Sequence, residues 1–149
     1  MEKTILIHSL EEMKQFAKNL TCACFPGSII GLKGDLGSGK TTFTKYLCHF
    51  LGIEGNVNSP TFTILKEYKG PINVYHMDVY RLENIGYDYE LDDFIYGDGV
   101  AIIEWYPYIE NMLPKEILEI EFTICDSESR IAHVKGSGKY EKCVQSLGN

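Results

Sequence analysis

The sequence predicts an α/β domain with a mainly parallel central sheet, helices on both faces and an antiparallel addition. Three observations carry that expectation. The chain has 149 residues, the size of one domain, so a single unit over 1–149 is expected. A short apolar run at 28–33 passes through a glycine-rich segment into residues with helical periodicity. A second run, 100–103, is uniformly apolar, as a central strand buried on both sides should be.

The elements follow in order. Residues 4–7 read as a strand. Ser9-Leu10-Glu11-Glu12 is a capping box, with a hydroxyl at the cap and a glutamate three residues on. Leu10, Met13, Phe16, Ala17 and Leu20 then recur at helical spacing and give that helix one buried stripe. Phe25-Pro26-Gly27 is a turn before the buried strand 28–33. After the glycine-rich loop, Phe43, Tyr46, Leu47, Phe50 and Leu51 keep a helical period until Gly52 stops it. Residues 61–68 and 72–77 predict a hairpin turning at Lys69-Gly70-Pro71. Residues 81–98 are polar, tyrosine-rich and weakly periodic, which suits a short helix and loops. Strands are expected at 100–103, 117–124 and 131–135, and a terminal helix at 139–147.

Composition removes several function classes. No stretch approaches the ~20 apolar residues of a membrane span. Met1-Glu2-Lys3-Thr4 has no basic run leading into an apolar one, so no secretory signal is expected and the protein is predicted to be cytoplasmic. The cysteines, Cys22, Cys24, Cys48, Cys125 and Cys143, are odd in number and lack a second Cys/His cluster, which predicts reduced thiols and no zinc site. Net charge is −7, and only Arg81 and Arg130 are arginines. An acidic surface is poorly suited to holding nucleic acid directly. The segment from Tyr87 to Tyr96 sets its tyrosines among Asp88, Glu90, Asp92 and Asp93, a composition better suited to meeting a protein.

The chemistry is carried by Gly34-Asp35-Leu36-Gly37-Ser38-Gly39-Lys40-Thr41-Thr42, which matches the Walker A pattern of P-loop NTPases. Its glycines let backbone N–H groups curl around phosphate oxygens, and the following helix aims its positive end at the same anion. Lys40 should reach the outer phosphates and the Thr41 hydroxyl should ligate Mg²⁺. ATP with Mg²⁺ is the cofactor this implies; there is no Asn-Lys-x-Asp guanine signature. A second acid should end a neighbouring buried strand and complete the magnesium shell. Asp78 and Glu104 both qualify, since each closes an apolar run. Asn58-Ser59-Pro60-Thr61-Phe62 puts hydroxyls where a switch loop could sense the terminal phosphate. Arg81, three residues after Asp78, could stabilise charge on the transferring phosphate or make a structural ion pair. His76 reads as a structural strand residue, and Trp105 as core or interface rather than a base-stacking platform.

Taken together, the Walker A residues, Ser59-Pro60-Thr61-Phe62, His76-Met77-Asp78-Val79-Tyr80-Arg81-Leu82 and Ile103-Glu104-Trp105 resemble the bacterial TsaE family, also called YjeE. The motifs run in the family's order over most of the chain. The resemblance implies an ATPase required to make N6-threonylcarbamoyladenosine beside the anticodon of tRNAs. Its partners would be TsaD, which performs the transfer, and TsaB, which binds TsaD. The nucleotide would drive turnover of that complex, and tRNA would be met only through the partners. Residue by residue, it implies that Thr41 and Glu104 hold Mg²⁺, that Ser59 and Thr61 lie in a switch-like loop, and that Asp78 and Arg81 support hydrolysis with Lys40. Ser38 stands where the family often has alanine, Met13 where it often has threonine, and the tail after Gly136 matches no known pattern. Two other classes compete. A small-molecule kinase would need more arginines and room for a lid. A nucleotide-gated module without hydrolysis would have no use for Asp78, Arg81 and Glu104.

Overall fold

The computed structural model describes residues 1–57, 64–83 and 89–148. Seven strands form one sheet: β1 (Glu2–Ile7), β2 (Ile29–Lys33), β3 (Leu65–Tyr68), β4 (Val74–Asp78), β5 (Val100–Glu104), β6 (Leu118–Ile124) and β7 (Arg130–Gly136). Their order is β1-β7-β6-β2-β5-β4-β3. The central four, β6, β2, β5 and β4, run parallel to one another. The antiparallel addition lies at both edges: β3 pairs with β4 in the expected hairpin, and β7 pairs with β6 and β1.

Side-chain alternation divides the core into two layers. Ile30 and Leu32 of β2, Val100 and Ile102 of β5, and Leu118, Ile120 and Phe122 of β6 face one layer. Over it lie α1 (Leu10–Asn19), α2 (Lys40–Phe50) and α4 (Glu141–Ser146). Phe16, Phe43 and Phe122 meet there, with ring centroids 5.5 to 6.2 Å apart. The opposite face, with Ile29, Met77, Ala101 and Ile103, is covered more thinly, by α3 (Asp92–Ile95) and short helical turns at Tyr80–Leu82 and Tyr106–Met112. The polar composition of 81–98 explains this, because it offers no second apolar stripe long enough for a full helix.

The start of α1 is built as expected. Ser9 Oγ accepts the Glu12 N–H at 3.1 Å, while Glu12 Oε1 accepts the His8 N–H at 2.9 Å, one residue upstream of the cap. The thiol expectation needs correction. Docking of α4 beside the turn Leu20–Ala23 brings Cys143 to Cys22, and the two form a disulfide with Cα atoms 5.7 Å apart. An odd cysteine count does not exclude one long-range pair; Cys24, Cys48 and Cys125 stay free. Among the described residues no helix is long and apolar enough to cross a membrane, and no group of three or more His, Cys, Asp or Glu is placed to hold a metal ion.

Candidate functional site

The site lies at the carboxyl ends of the parallel strands, where β2 turns into the glycine-rich loop. Gly34 has φ 146°, and a Cβ there would come 2.6 Å from both the Phe122 carbonyl oxygen and Ser38 Oγ. Gly39 has φ 115°, and its Cβ would meet Met13 Cε at 2.8 Å. Both positions therefore need glycine for backbone shape, and Gly34 also for its close approach to the Phe122 carbonyl. Met13 thus packs against the loop itself. Gly39 also caps α2 without a side-chain bond, which leaves the first-turn N–H groups of that helix aimed into the loop.

Lys40 opens α2 and is 7% exposed. Its Nζ donates to the carbonyls of Gly34 and, at 3.3 Å, Asp35, and sits 4.5 Å from the Trp105 ring centroid. Burial lowers the Lys40 pKa, while the carboxylates of Glu104, Asp78 and Asp35 work in the opposite direction. A cation in this setting gains most from an incoming anion, because its own hydration has already been removed.

The two strand-end acids are neighbours. Asp78 of β4 is in direct register with Glu104 of β5. Glu104 is buried, and its Oε2 lies 2.6 Å from His76 Nε2. Asp78 is half-buried, and its Oδ1 accepts the Tyr80 N–H at 3.0 Å. Burial raises the Asp78 pKa, the charge of Glu104 adds to the rise, and the bond from Tyr80 opposes it.

A cavity of about 740 Å³ joins these groups, within the usual range for a small-molecule site. Leu36, Gly37, Gly39, Lys40, Thr41 and Thr42 line it from the loop and α2, and Asp78 and Glu104 line it from the sheet. Asp35 contributes its carbonyl to Lys40, and Ser38 is buried under the loop. Thr41, Asp78 and Glu104 offer hard oxygen donors, a set that fits Mg²⁺ held by one or two carboxylates, a hydroxyl and substrate phosphates. Ser59 and Thr61 lie outside the described residues. Arg81 stands exposed on the turn Tyr80–Leu82 and is not among the described residues of the cavity wall.

Three further residues shape the site: His76 and Trp105, which the sequence reads as structural, and Arg130, to which it gives no role. Trp105 lines the cavity beneath Lys40. It holds φ 63°, ψ 35°, and it is the only non-glycine residue at positive φ among the described residues. That conformation costs on the order of 1–3 kcal/mol and must be held by its surroundings. The Trp105 N–H donates to the Leu32 carbonyl at 2.8 Å, and the ring stacks on Tyr108 at 5.9 Å and meets Tyr80 edge-on at 5.1 Å. Arg130, at the start of β7, reaches the loop from the other side and donates to the Gly37 carbonyl at 3.2 Å. His76 backs Glu104. Its two-residue spacing from Asp78 was the available signal, since it puts both on one face of a strand.

Comparison with known proteins bears on the whole chain. The family model described as "Threonylcarbamoyl adenosine biosynthesis protein TsaE" matches residues 7–132. A Bacillus subtilis protein named tRNA threonylcarbamoyladenosine biosynthesis protein TsaE is 45% identical over 139 residues, covering 92% of this chain and 88% of its own length. A Rickettsia bellii protein of the same name is 35% identical over 133 residues, covering 87% and 92%. Among solved structures, the crystal structure of Bacillus subtilis YdiB superposes with a TM-score of 0.83 at 37% identity, covering 97% of this chain and 93% of that one. On sequence, fold and the place of its glycine-rich loop, the chain belongs to the TsaE family.

Proposed function

We propose that this chain is a Mg²⁺-dependent ATPase that serves the threonylcarbamoylation of a tRNA adenosine beside the anticodon. One observation supports this above the others: a single cavity brings Lys40 and Thr41, at the amino end of α2, to the two acids that close β4 and β5. Lys40 and the α2 N–H groups would neutralise the triphosphate, while Thr41 and Glu104 would hold a magnesium ion, which would supply further positive charge there. Asp78, with its raised pKa, would sit on the hydrolytic side of that shell. Arg81 would reach the phosphates only after its turn moves, and the hydroxyls of Ser59 and Thr61 would sense the terminal phosphate.

TsaD and TsaB are the proposed partners, the cytoplasm the proposed compartment, and hydrolysis is slow until the partners dock. With a net charge of −7, tRNA is met through those partners rather than by this surface. The test measures Mg-ATP hydrolysis by the chain alone, with TsaB–TsaD, and with tRNA added. Slow turnover alone and a clear rise with the pair is the expected result. No ATP binding, or tight salt-sensitive tRNA binding by the chain alone, would overturn the reading.

A further inference from the structure

His76 sits in an apolar layer. Along β4 it shares a face with Val74, and the facing row of β5 is Val100 and Ile102, all fully buried. A buried imidazole in such surroundings is costly unless its nitrogens are bonded, and leucine would fill the same space without that cost. One nitrogen is satisfied: Nε2 is 2.6 Å from Glu104 Oε2. The other, Nδ1, is buried with no hydrogen-bond partner among the described residues. This asymmetry selects the tautomer. A proton on Nε2 makes a donor to the carboxylate and leaves Nδ1 a bare lone pair; a proton on Nδ1 would strand a donor and set two acceptors against each other.

We propose that His76 is a positioning residue for the metal site: its Nε2–H fixes one oxygen of Glu104 and leaves the other oxygen to serve the magnesium shell. This rests on the Mg-ATP reading above. A glutamate has three side-chain torsions, and a metal ligand that must be ordered at each binding event binds weakly. An imidazole behind the carboxylate orders it beforehand, the same device by which outer partners orient metal ligands elsewhere. His76 is not among the residues that line the cavity. Its effect should therefore appear in magnesium affinity and not in the intrinsic grip of the loop on phosphate.

The experiment separates those two. ATP binding is followed by calorimetry and by fluorescence of Trp105, the single tryptophan, first in EDTA and then across a Mg²⁺ titration. For His76→Leu, ATP affinity in EDTA should stay within about twofold, while the Mg²⁺ concentration at half-effect rises about 10-fold or more. His76→Gln keeps an N–H near the ε position and should restore the wild-type midpoint; His76→Asn, with a shorter reach, should not. The glutamine and asparagine pair decides the matter if the leucine variant does not fold. An unchanged Mg²⁺ midpoint in His76→Leu or His76→Asn, or equal loss of ATP binding with and without Mg²⁺, would overturn the proposal while leaving the ATPase reading intact. If the wild-type chain binds no ATP, or binds it without regard to Mg²⁺, both fall.

Discussion

The two halves of the sheet, on either side of β2, are built by different rules. Toward β5 and β4 the strands are parallel, and β5 is buried at every position from Val100 to Glu104. Toward β6, β7 and β1 the pairing turns antiparallel, and inward residues such as Leu118, Ile120 and Phe122 alternate with more exposed ones. A strand covered on both faces can carry polar groups cheaply only at its end. Glu104 and Asp78 occupy such ends, and His76, the one polar group further in, is bonded to Glu104. The antiparallel half has water on one face and disperses its charges there. The two strand-end acids thus collect on one half of the sheet, while the other half supports the loop and closes the cavity with Ile7, Ser127, Glu128 and Arg130.

The comparison predicts effects of different kinds. The largest belongs to the loop on the chemical side: Lys40→Ala and Thr41→Ala should each lower Mg-ATP hydrolysis about 100- to 1,000-fold, with the fold intact. Wild-type rates in either variant would remove the chemistry from this half altogether. On the packing side, Phe122→Ala deletes a ring that touches both Phe16 and Phe43, and should cost about 3–5 kcal/mol in denaturant unfolding. Any loss of activity in that variant should follow the fraction unfolded, and recover at low temperature.

The two acids sharpen the comparison within the chemical half. Glu104→Gln should weaken Mg²⁺-dependent nucleotide binding, whereas Asp78→Asn should chiefly slow hydrolysis. Asp78 adds a pH signature. Its folded pKa is raised, first by burial and then by Glu104, so the native state takes up a proton before the unfolded chain does. Stability linked to this carboxyl therefore falls as pH rises through the window above the ordinary aspartate value, and returns on acidification. Asp78→Asn should erase that dependence and stabilise the neutral-pH protein by about 1 kcal/mol, the usual scale for relieving a functional position. A destabilised asparagine variant would contradict this account of its environment.

Much of this was legible in the sequence, for identifiable reasons. Local signals survived well: the Ser9 capping box, the glycine-rich loop and the apolar run of β5 each carry their cause within a few residues. Long-range pairings were not legible. Nothing near Cys22 points to Cys143, 121 residues away, because only the docking of α4 brings them together. Trp105 reads as core or interface and does pack against the thinner core layer; the left-handed backbone that also brings its ring under Lys40 leaves no mark on composition. Arg81 has a signal in its three-residue spacing from Asp78; Arg130 has none, because only the crossing of β7 beside β6 carries it to the loop.

Arg130 links the two halves of the sheet. It starts β7, on the packing half, but its guanidinium spans three carbonyls: Asp126 at 2.8 Å and Ser129 at 3.0 Å in its own turn, and Gly37 at 3.2 Å in the phosphate-binding loop. If the packing half only supports the loop, losing this bridge removes one exposed hydrogen bond to the loop, along with the two within Arg130's own turn. Charge-assisted bonds of that kind contribute about 1 kcal/mol or less once solvent screens them. Arg130→Met, which keeps the aliphatic stem, should then weaken ATP and ADP binding equally and by about 2- to 5-fold. Turnover of bound ATP should stay near wild type, because Asp78 and Glu104 both lie on strands across β2 from β7. Equilibrium binding of both nucleotides, with single-turnover hydrolysis, measures each part. A loss confined to ATP, or a fall in turnover approaching that of Lys40→Ala, would give the antiparallel half a direct share in the chemistry and end the division drawn between the two.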